Sequence, residues 1–318
     1  MSFDIKSEVL DAEKRIRKYI RETPVESSPH LNQMGNCRVH LKLETSQITG
    51  SFKLRGAVNK FLSLSASEQK EDLITASSGN HAAAFAHVLQ QFGGKGTIYL
   101  PANASRAKVE ALRLTGVKLE QHGEDCIISE TLARETAAST GRVFISPYND
   151  LKIIGGQGTI GVELLRQVEK IDCILVPVGG GGLISGVAGY LKAVDKNIEI
   201  VGCQPQNSPV MHASIQAGRI LAMESKPSIA DGTAGGIDPD TITFDICREF
   251  VDDFILVSED EIKAAIRLMI DKHQLLIEGA AALSVAAYIK EKRQFAGRNV
   301  VLIISGKRIS LEQLKSIL

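Results

Sequence analysis

Four short segments of the chain gather residue types that ordinary secondary structure does not need together. The first is the run Gly179-Gly180-Gly181-Gly182, which follows the apolar stretch Ile171–Val178 and precedes Leu183-Ile184-Ser185. A tight strand-to-helix turn needs one or two glycines. Four in a row let the backbone approach a ligand closely and leave the free N–H groups of a helix start facing an anion. A Walker-type loop would continue with Lys and Ser or Thr, whereas Leu183 and Ile184 follow here. A dinucleotide fingerprint can be forced as Gly180-x-Gly182-x-x-Ser185, with Glu199 as the ribose acid. Glu199 falls at the start of its strand, however, and Gln204 holds the carboxyl end where such a ligand belongs. The run therefore reads as a cradle for a single phosphate monoester.

The second segment is Thr49-Gly50-Ser51-Phe52-Lys53-Leu54-Arg55-Gly56-Ala57. A lone lysine is ordinarily a solvated surface charge. Lys53 instead has small and apolar neighbours, and it stands where Thr-Gly-Ser opens a helix, a position whose dipole favours loss of its proton. A neutral amine is what a carbonyl group needs to form a Schiff base. The third segment is Thr75-Ala76-Ser77-Ser78-Gly79-Asn80-His81. Ser77, Ser78 and Asn80 are good helix caps. One cap suffices, though, and this loop offers two hydroxyls, an amide and an imidazole, a nest suited to a carboxylate or a phenolate oxygen. The fourth is Val300–Ile304 followed by Ser305-Gly306-Lys307, a polar residue at the carboxyl end of an apolar strand. A Ser-Gly turn ends many strands, so this last segment says little alone.

The elements that position these loops alternate. Strands are expected at Val39–Leu43, Leu73–Thr75, Thr97–Leu100, Lys118–Gln121, Val143–Ile145, Ile171–Val178, Ile198–Cys203, Phe254–Val257 and Val300–Ile304. Between them lie helical windows at Gly56–Leu64, His81–Phe92, Arg106–Thr115, Glu124–Thr140, Thr159–Val168 and Glu259–His273. Such alternation predicts an α/β protein with parallel sheets and crossover helices. The nearly unbroken apolar strands Ile171–Val178 and Val300–Ile304 predict sheets covered on both faces. Residues 205–250, with Pro205, Pro209, Pro227 and Pro239 and the stretch Asp231-Gly-Thr-Ala-Gly-Gly-Ile237, read as irregular structure of the kind that often carries function.

Bulk composition narrows the partners. The chain has 318 residues, 44% of them hydrophobic, enough for two domains of ordinary size. Lys plus Arg and Asp plus Glu both number 37, so the net charge gives no reason to expect nucleic acid or an anionic membrane. Five scattered cysteines (Cys37, Cys126, Cys173, Cys203, Cys247) include no C-x-x-C pair, which argues for a reducing compartment rather than a disulfide framework. No signal-peptide core or membrane-length apolar run is present, and a cytoplasmic protein with a small ligand is expected.

Taken together and in order, S-F-K-L-R-G-A, S-S-G-N-H, G-G-G-G-L and the terminal S-G resemble the fold-type-II pyridoxal-phosphate enzymes. Within these the chain is most similar to the serine/threonine dehydratases and serine racemases, from about Thr23-Pro24 to Lys307. The resemblance implies a tryptophan synthase β-like fold of two open twisted-sheet domains. Residues 1–47 plus 146–318 would form the large cofactor-binding domain, and 48–145 a small one that closes over the substrate. It implies pyridoxal 5'-phosphate attached to Lys53, with Phe52 packed against the ring and Asn80 bonded to its phenolic oxygen. Gly179, Gly180, Gly181, Gly182 and the Leu183 N–H would hold the phosphate, and Ser305 would face the pyridine nitrogen. The loop of Ser77, Ser78, Gly79 and His81 would grip the substrate carboxylate, with Ser78 as acid–base group on the ring face opposite Lys53.

Two departures matter. The family often continues its last motif as S-G-G-N, where this chain reads Ser305-Gly306-Lys307-Arg308. Racemase-like members carry an acidic metal site after the strand that ends here at Cys203-Gln204-Pro205, and Gln204, Ser208 and Val210 supply no carboxylate. No metal is therefore expected. The implied activity is an ammonia-lyase acting on L-threonine, L-serine or a related β-hydroxy amino acid, in a homodimer. The alternatives are a serine or hydroxyaspartate racemase, a dehydratase-like enzyme of hydroxyectoine breakdown, and a non-catalytic module that binds a small molecule.

Overall fold

The computed structural model describes residues 4–102, 104, 106–124 and 126–318. Asp125, inside the expected helix Glu124–Thr140, lies outside the described residues. Among the described residues nine strands build two sheets: β1 (Val25–Ser27), β2 (Arg38–Leu43), β3 (Asp72–Ala76), β4 (Lys95–Leu100), β5 (Lys118–Gln121), β6 (Cys173–Pro177), β7 (Glu199–Pro205), β8 (Asp253–Val257) and β9 (Asn299–Ile304). Six form one sheet in the order β1-β2-β9-β6-β7-β8, and three form the other in the order β3-β4-β5. All pairings are parallel except β1 with β2.

Period-two alternation sorts the six-stranded sheet between two cores. Val300, Leu302 and Ile304 of β9 face the cluster that includes Tyr288 and the helix Glu259–His273, while Val301 and Ile303 face the cluster that includes Ile5, Ile160 and Val187. The expectation of strands covered on both faces holds for the same reason in the smaller sheet. Leu73 and Ile98 pack under the helices Lys53–Ser63 and Asn80–Phe92, whereas Ile74 and Tyr99 pack under Cys126–Thr140.

Three expectations need correcting. Val143–Ile145 is no strand: it makes one isolated bridge between Phe144 and Ile74, with backbone hydrogen bonds from Ile74 N to Val143 O and from Ile145 N to Ile74 O. Residues 205–250 are not irregular throughout, because helices Val210–Ala217 and Ile242–Phe250 interrupt them. Antiparallel β1 also escaped the sequence reading, since Val-Glu-Ser has no apolar pattern and lies at a half-exposed edge.

The two sheets are joined by the helix Leu151–Gln167, which is unusually rich in glycine. A side chain at Gly156 would lie 2.6 Å from Arg55 O and from Gly56 Cα, and one at Gly186 would lie 2.2 Å from Ile154 O. These glycines let the backbone of this helix touch that of Lys53–Ser63 on one side and of Gly182–Val194 on the other.

Beside this contact lies a fully buried charge network. The Arg55 guanidinium donates bidentately to Glu44 (2.8 and 2.8 Å) and to Glu163 (2.7 and 2.8 Å). Lys42 Nζ donates to Glu163 (2.6 Å), to Thr23 O (2.7 Å) and to Gln167 (2.8 Å). Burial alone would raise the Glu163 carboxyl, but Arg55 and Lys42 outweigh it and hold the group down at about 2. Its folded-state pKa thus lies below the ordinary 4.5, so its stabilisation is full above that pH and fades as the pH falls toward 2. Glu163→Gln leaves Arg55 and Lys42 with one carboxylate between them. It should lower the unfolding free energy by about 3–5 kcal/mol. Urea unfolding at pH 7 measures this, and an unchanged midpoint would show the network to be energetically idle.

Candidate active site

The Thr49–Ala57 and Ser305–Lys307 segments, far apart in sequence, run side by side. Phe52 N donates to Ser305 O (3.1 Å), Lys307 N donates to Gly50 O (3.1 Å), and Ser51 bridges Gly306. Gly50 turns there with φ +78°, a conformation that suits glycine. The strap sets Lys53 at the first position of its helix and Ser305, buried, at the carboxyl end of β9. Lys53 Nζ lies 5.2 Å from the Phe52 ring centroid and donates to Pro147 O (2.7 Å). Burial pulls this amine down from its ordinary 10.5 to about 8, against the opposing pull of Glu130 and Glu278.

Each glycine of the run is required by what surrounds it. A side-chain carbon at Gly179 would lie 3.0 Å from Thr233 Cα, at Gly180 2.5 Å from the Tyr148 ring, and at Gly182 2.9 Å from the Tyr148 backbone. Gly181 adopts φ +85° and is crowded by Thr243 and Met211. The Thr243 hydroxyl donates to Gly180 O (2.7 Å), which fixes the turn. Gly181 is also the N-cap of the helix Gly182–Val194 and contributes no side-chain cap, so the first N–H groups of that helix remain open to an anion.

The Ser77–His81 loop follows β3 and opens the helix Asn80–Phe92. Its N-cap is Gly79, again without a side-chain cap. Ser77 Oγ accepts from Gly79 N (3.1 Å), so the serines do not cap this helix. Asn80 Nδ2 donates to both oxygens of Glu278 (2.7 and 3.0 Å), and its Oδ1 is buried without a partner.

The His81 ring points away from this loop's open face. It turns into the three-stranded unit, with Nε2 within 3.0 Å of Thr75 Oγ1 and 3.3 Å of Ile145 O. Burial, with the nearby Lys53 charge, lowers it to about 3. That neutral, packed ring does not offer Nε2 to a carboxylate.

Glu278 was not anticipated. It stands at the N-cap position of the helix Gly279–Glu291 without bonding it through its side chain, accepts from Arg308 N (2.8 Å), and is raised by burial to about 7 despite the Asn80 hydrogen bond. Its only sequence signal is an acid at the head of an alanine-rich apolar run. Tyr148 was missed as well, because nothing in Ser146-Pro-Tyr-Asn-Asp150 marks it as the wall of the glycine run.

Gln204, where a metal-binding acid was thought absent, is engaged at both ends of its amide, with Val178 O (3.3 Å) and His212 N (2.8 Å). Among the described residues no group of three or more His, Cys, Asp or Glu side chains could hold a metal ion.

The residues fit a phosphorylated carbonyl cofactor. A glycine run closely packed at Gly180 and Gly182 faces an open helix start, a buried amine is lowered to about 8, and an orphaned amide oxygen lies at Asn80.

Comparison with known proteins agrees. The family model described as "Pyridoxal-phosphate dependent enzyme" matches residues 16–306. An L-threonine ammonia-lyase of Thermotoga maritima is 36% identical over 98% of this chain and 77% of its own length. Among solved structures, maize serine racemase superposes with a TM-score of 0.92 at 33% identity, covering 98% of this chain and 95% of that one. The processed form of threonine deaminase isoform 2 from Solanum lycopersicum gives 0.93 at 31%, covering 100% and 93%. With the motif order, the cradle and these matches in agreement, the chain belongs to the pyridoxal-phosphate dependent enzyme family.

Proposed function

We propose that this protein is an ammonia-lyase that converts L-threonine, L-serine or a related β-hydroxy amino acid to a 2-oxo acid and ammonia. The observation that carries the reading is Lys53: a buried amine lowered to about 8 and bonded to Pro147 O, the residue before the Tyr148 that walls the glycine run. The full-length likeness to a threonine ammonia-lyase supports the choice of reaction.

Bound pyridoxal phosphate supplies a carbonyl that condenses with amines and a ring that takes up the electron pair left at the α-carbon. The chain does the rest. Gly179–Gly182 and the Leu183 N–H would hold the phosphate, Phe52 would pack beside the ring, Asn80 would meet its phenolic oxygen, and Ser305 would face its nitrogen. Ser305 offers a neutral hydroxyl, which, unlike an aspartate, would not favour a protonated ring nitrogen, and this suits elimination of a β-hydroxyl. Lys53, as a neutral amine, would take the α-proton of the substrate. Ser77, Ser78 and Gly79, with the uncapped N–H groups of the helix they open, receive the substrate carboxylate.

Residues 48–145, which contain the three-stranded sheet, form the small domain in this reading, and residues 1–47 with 146–318 the large one. The protein works as a cytoplasmic homodimer. In support, Ile48 and Leu276, 42% and 43% exposed, line one surface cavity together with Leu275 among polar neighbours such as Thr45, Lys307 and Arg308, exposed apolar side chains that a second copy would cover. Four buried free thiols, Cys37, Cys173, Cys203 and Cys247, suit a reducing compartment.

Three experiments bear on this reading. Purified holoenzyme is offered a panel of hydroxy-amino acids, with oxo acid, ammonia and inverted enantiomer scored together. Oxo acid and ammonia in equal amounts are expected, and borohydride reduction should fix the cofactor on Lys53. Dominant inversion would replace the lyase by a racemase, and a label on another lysine would remove Lys53 from its role.

The second experiment follows pH. Since the Lys53 pKa is lowered to about 8, the reactive neutral amine appears as the pH rises through that value. Cofactor loading of the stripped protein, followed by absorbance, should accelerate with a midpoint near pH 8. A midpoint near 10.5 would mean an ordinary exposed lysine.

The third separates the two ring faces. Racemisation needs a proton-transfer group on each face, whereas elimination from the L-substrate needs only that of Lys53. Ser78→Ala should abolish enantiomer exchange of serine, a loss on the order of a hundred- to ten-thousand-fold, while sparing much of the lyase activity. Untouched exchange would leave Ser78 without an acid–base part.

A further inference from the structure

The stretch Asp231–Ile237, singled out in the sequence for its glycines, touches the site on one side only. Thr233 walls Gly179, and Thr243, a few residues beyond, bonds Gly180 O. Its other side turns toward the three-stranded unit. Asp231 Oδ2 accepts from Lys108 Nζ (2.8 Å), and Lys108 stands on the helix Arg106–Arg113. Asp238 Oδ2 accepts from Arg134 Nη2 (2.8 Å), and Arg134 stands on Cys126–Thr140. One loop thus carries two acids, each paired with a base on a different helix of the opposite unit.

The second pair is the better built. Arg134 is aligned by Glu130 (2.6 and 3.1 Å) and lies 4.7 Å from the Phe144 ring centroid. Asp238 is aligned by Asn149 Nδ2 (2.9 Å), and its own N–H donates to Tyr148 Oη (2.8 Å). Tyr148 is the residue whose ring lies over Gly180. A continuous path therefore runs from a helix of the three-stranded unit, through Arg134, Asp238 and Tyr148, to the glycine run.

We propose that Asp231 and Asp238 are positioning residues that clasp the three-stranded unit across the cleft and so set the gap between Ser77–Asn80 and the glycine run. Where the cleft meets Arg55 the two units are joined by fully buried charges, which salt hardly screens. At the clasp they are joined by half-exposed charges, which salt does screen: the side chains are 25% and 43% exposed for Lys108 and Asp231, and 35% and 15% for Arg134 and Asp238. One unit is thus fixed at the first contact and only fastened at the second. An error of about 1 Å in substrate placement can cost on the order of a hundredfold in rate, so weak pairs at the fastening have kinetic weight beyond their effect on stability.

The kinetic readout rests on the lyase reading, whereas the exchange readout does not. The experiment compares holoenzyme of wild type, Asp231→Asn, Asp238→Asn and the double variant. Each neutralisation should raise KM for L-threonine or L-serine about three- to fivefold, more than it lowers kcat, and the double variant should exceed tenfold. Wild-type KM should climb as NaCl goes from about 0.05 to about 0.5 M, and the double variant should lose most of that dependence. Backbone hydrogen exchange should rise in the double variant over Ser77–Asn80 and the two helices that carry Lys108 and Arg134. Asp238→Glu should recover most of the loss, as should the exchanged pair Lys108→Asp with Asp231→Lys. A double variant with wild-type KM, salt response and exchange overturns the clasp. If no amino acid is turned over by wild type, the lyase reading fails, and the exchange comparison alone still decides the clasp.

Discussion

The position of every group in the cleft depends on one contact, the bidentate grip of Arg55 on Glu44 and Glu163. Arg55 sits two residues after Lys53, on the helix that packs with the three-stranded sheet. Glu44 follows β2, and Glu163 belongs to the helix between the sheets. Two positive and two negative side chains, Lys42 included, cancel with no exposure to solvent. Removing such charges from water costs nearly what their attraction returns, and an apolar replacement of equal volume could match the stability. What an apolar cluster would not supply is direction. Two forked carboxylates accept one planar guanidinium in one orientation. The glycine contact between Gly156 and Gly56 then forbids any other spacing of the helices.

The helix starts divide in the same spirit. Among the described residues six helices begin on side chains that cap them: Asp4, Ser28, Asp150, Thr241, Ser258 and Ser310. The four around the cleft, at Lys53, Asn80, Gly182 and Gly279, have no side-chain cap. An absent cap forgoes about 1 kcal/mol, and the N–H groups left open are the ones a phosphate or a carboxylate can use.

Much of this was legible in the sequence. Eight of the nine expected strands exist, because apolar runs of β-branched residues bounded by polar turns have few other fates. The ninth, Val143–Ile145, had the composition but found a neighbour only at Phe144. The helix Ile5–Ile16 went unread although Ile5, Val9, Ala12 and Ile16 repeat at helical spacing, since charged residues between them masked the face. The helix expected at Thr159–Val168 begins earlier, at Leu151, and the Gly155, Gly156 and Gly158 of its first half serve contact with neighbouring helices. Lys53 and the glycine run were visible because their chemistry is local. Glu278, Tyr148 and the Arg55 network were not, because each owes its role to a partner more than ten positions away.

The strand order also has a consequence for how the chain is made. The three-stranded sheet is drawn from one continuous stretch, so it can close as soon as β5 has emerged. The larger sheet cannot. Its central strand β9 comes from the far end of the chain and lies between β2 and β6, so β2 waits through most of synthesis with one long edge unpaired. During that interval the nascent polypeptide exposes Val39, Leu41 and Leu43 to the cell, and its guard against aggregation is the speed of translation and whatever chaperone covers that edge.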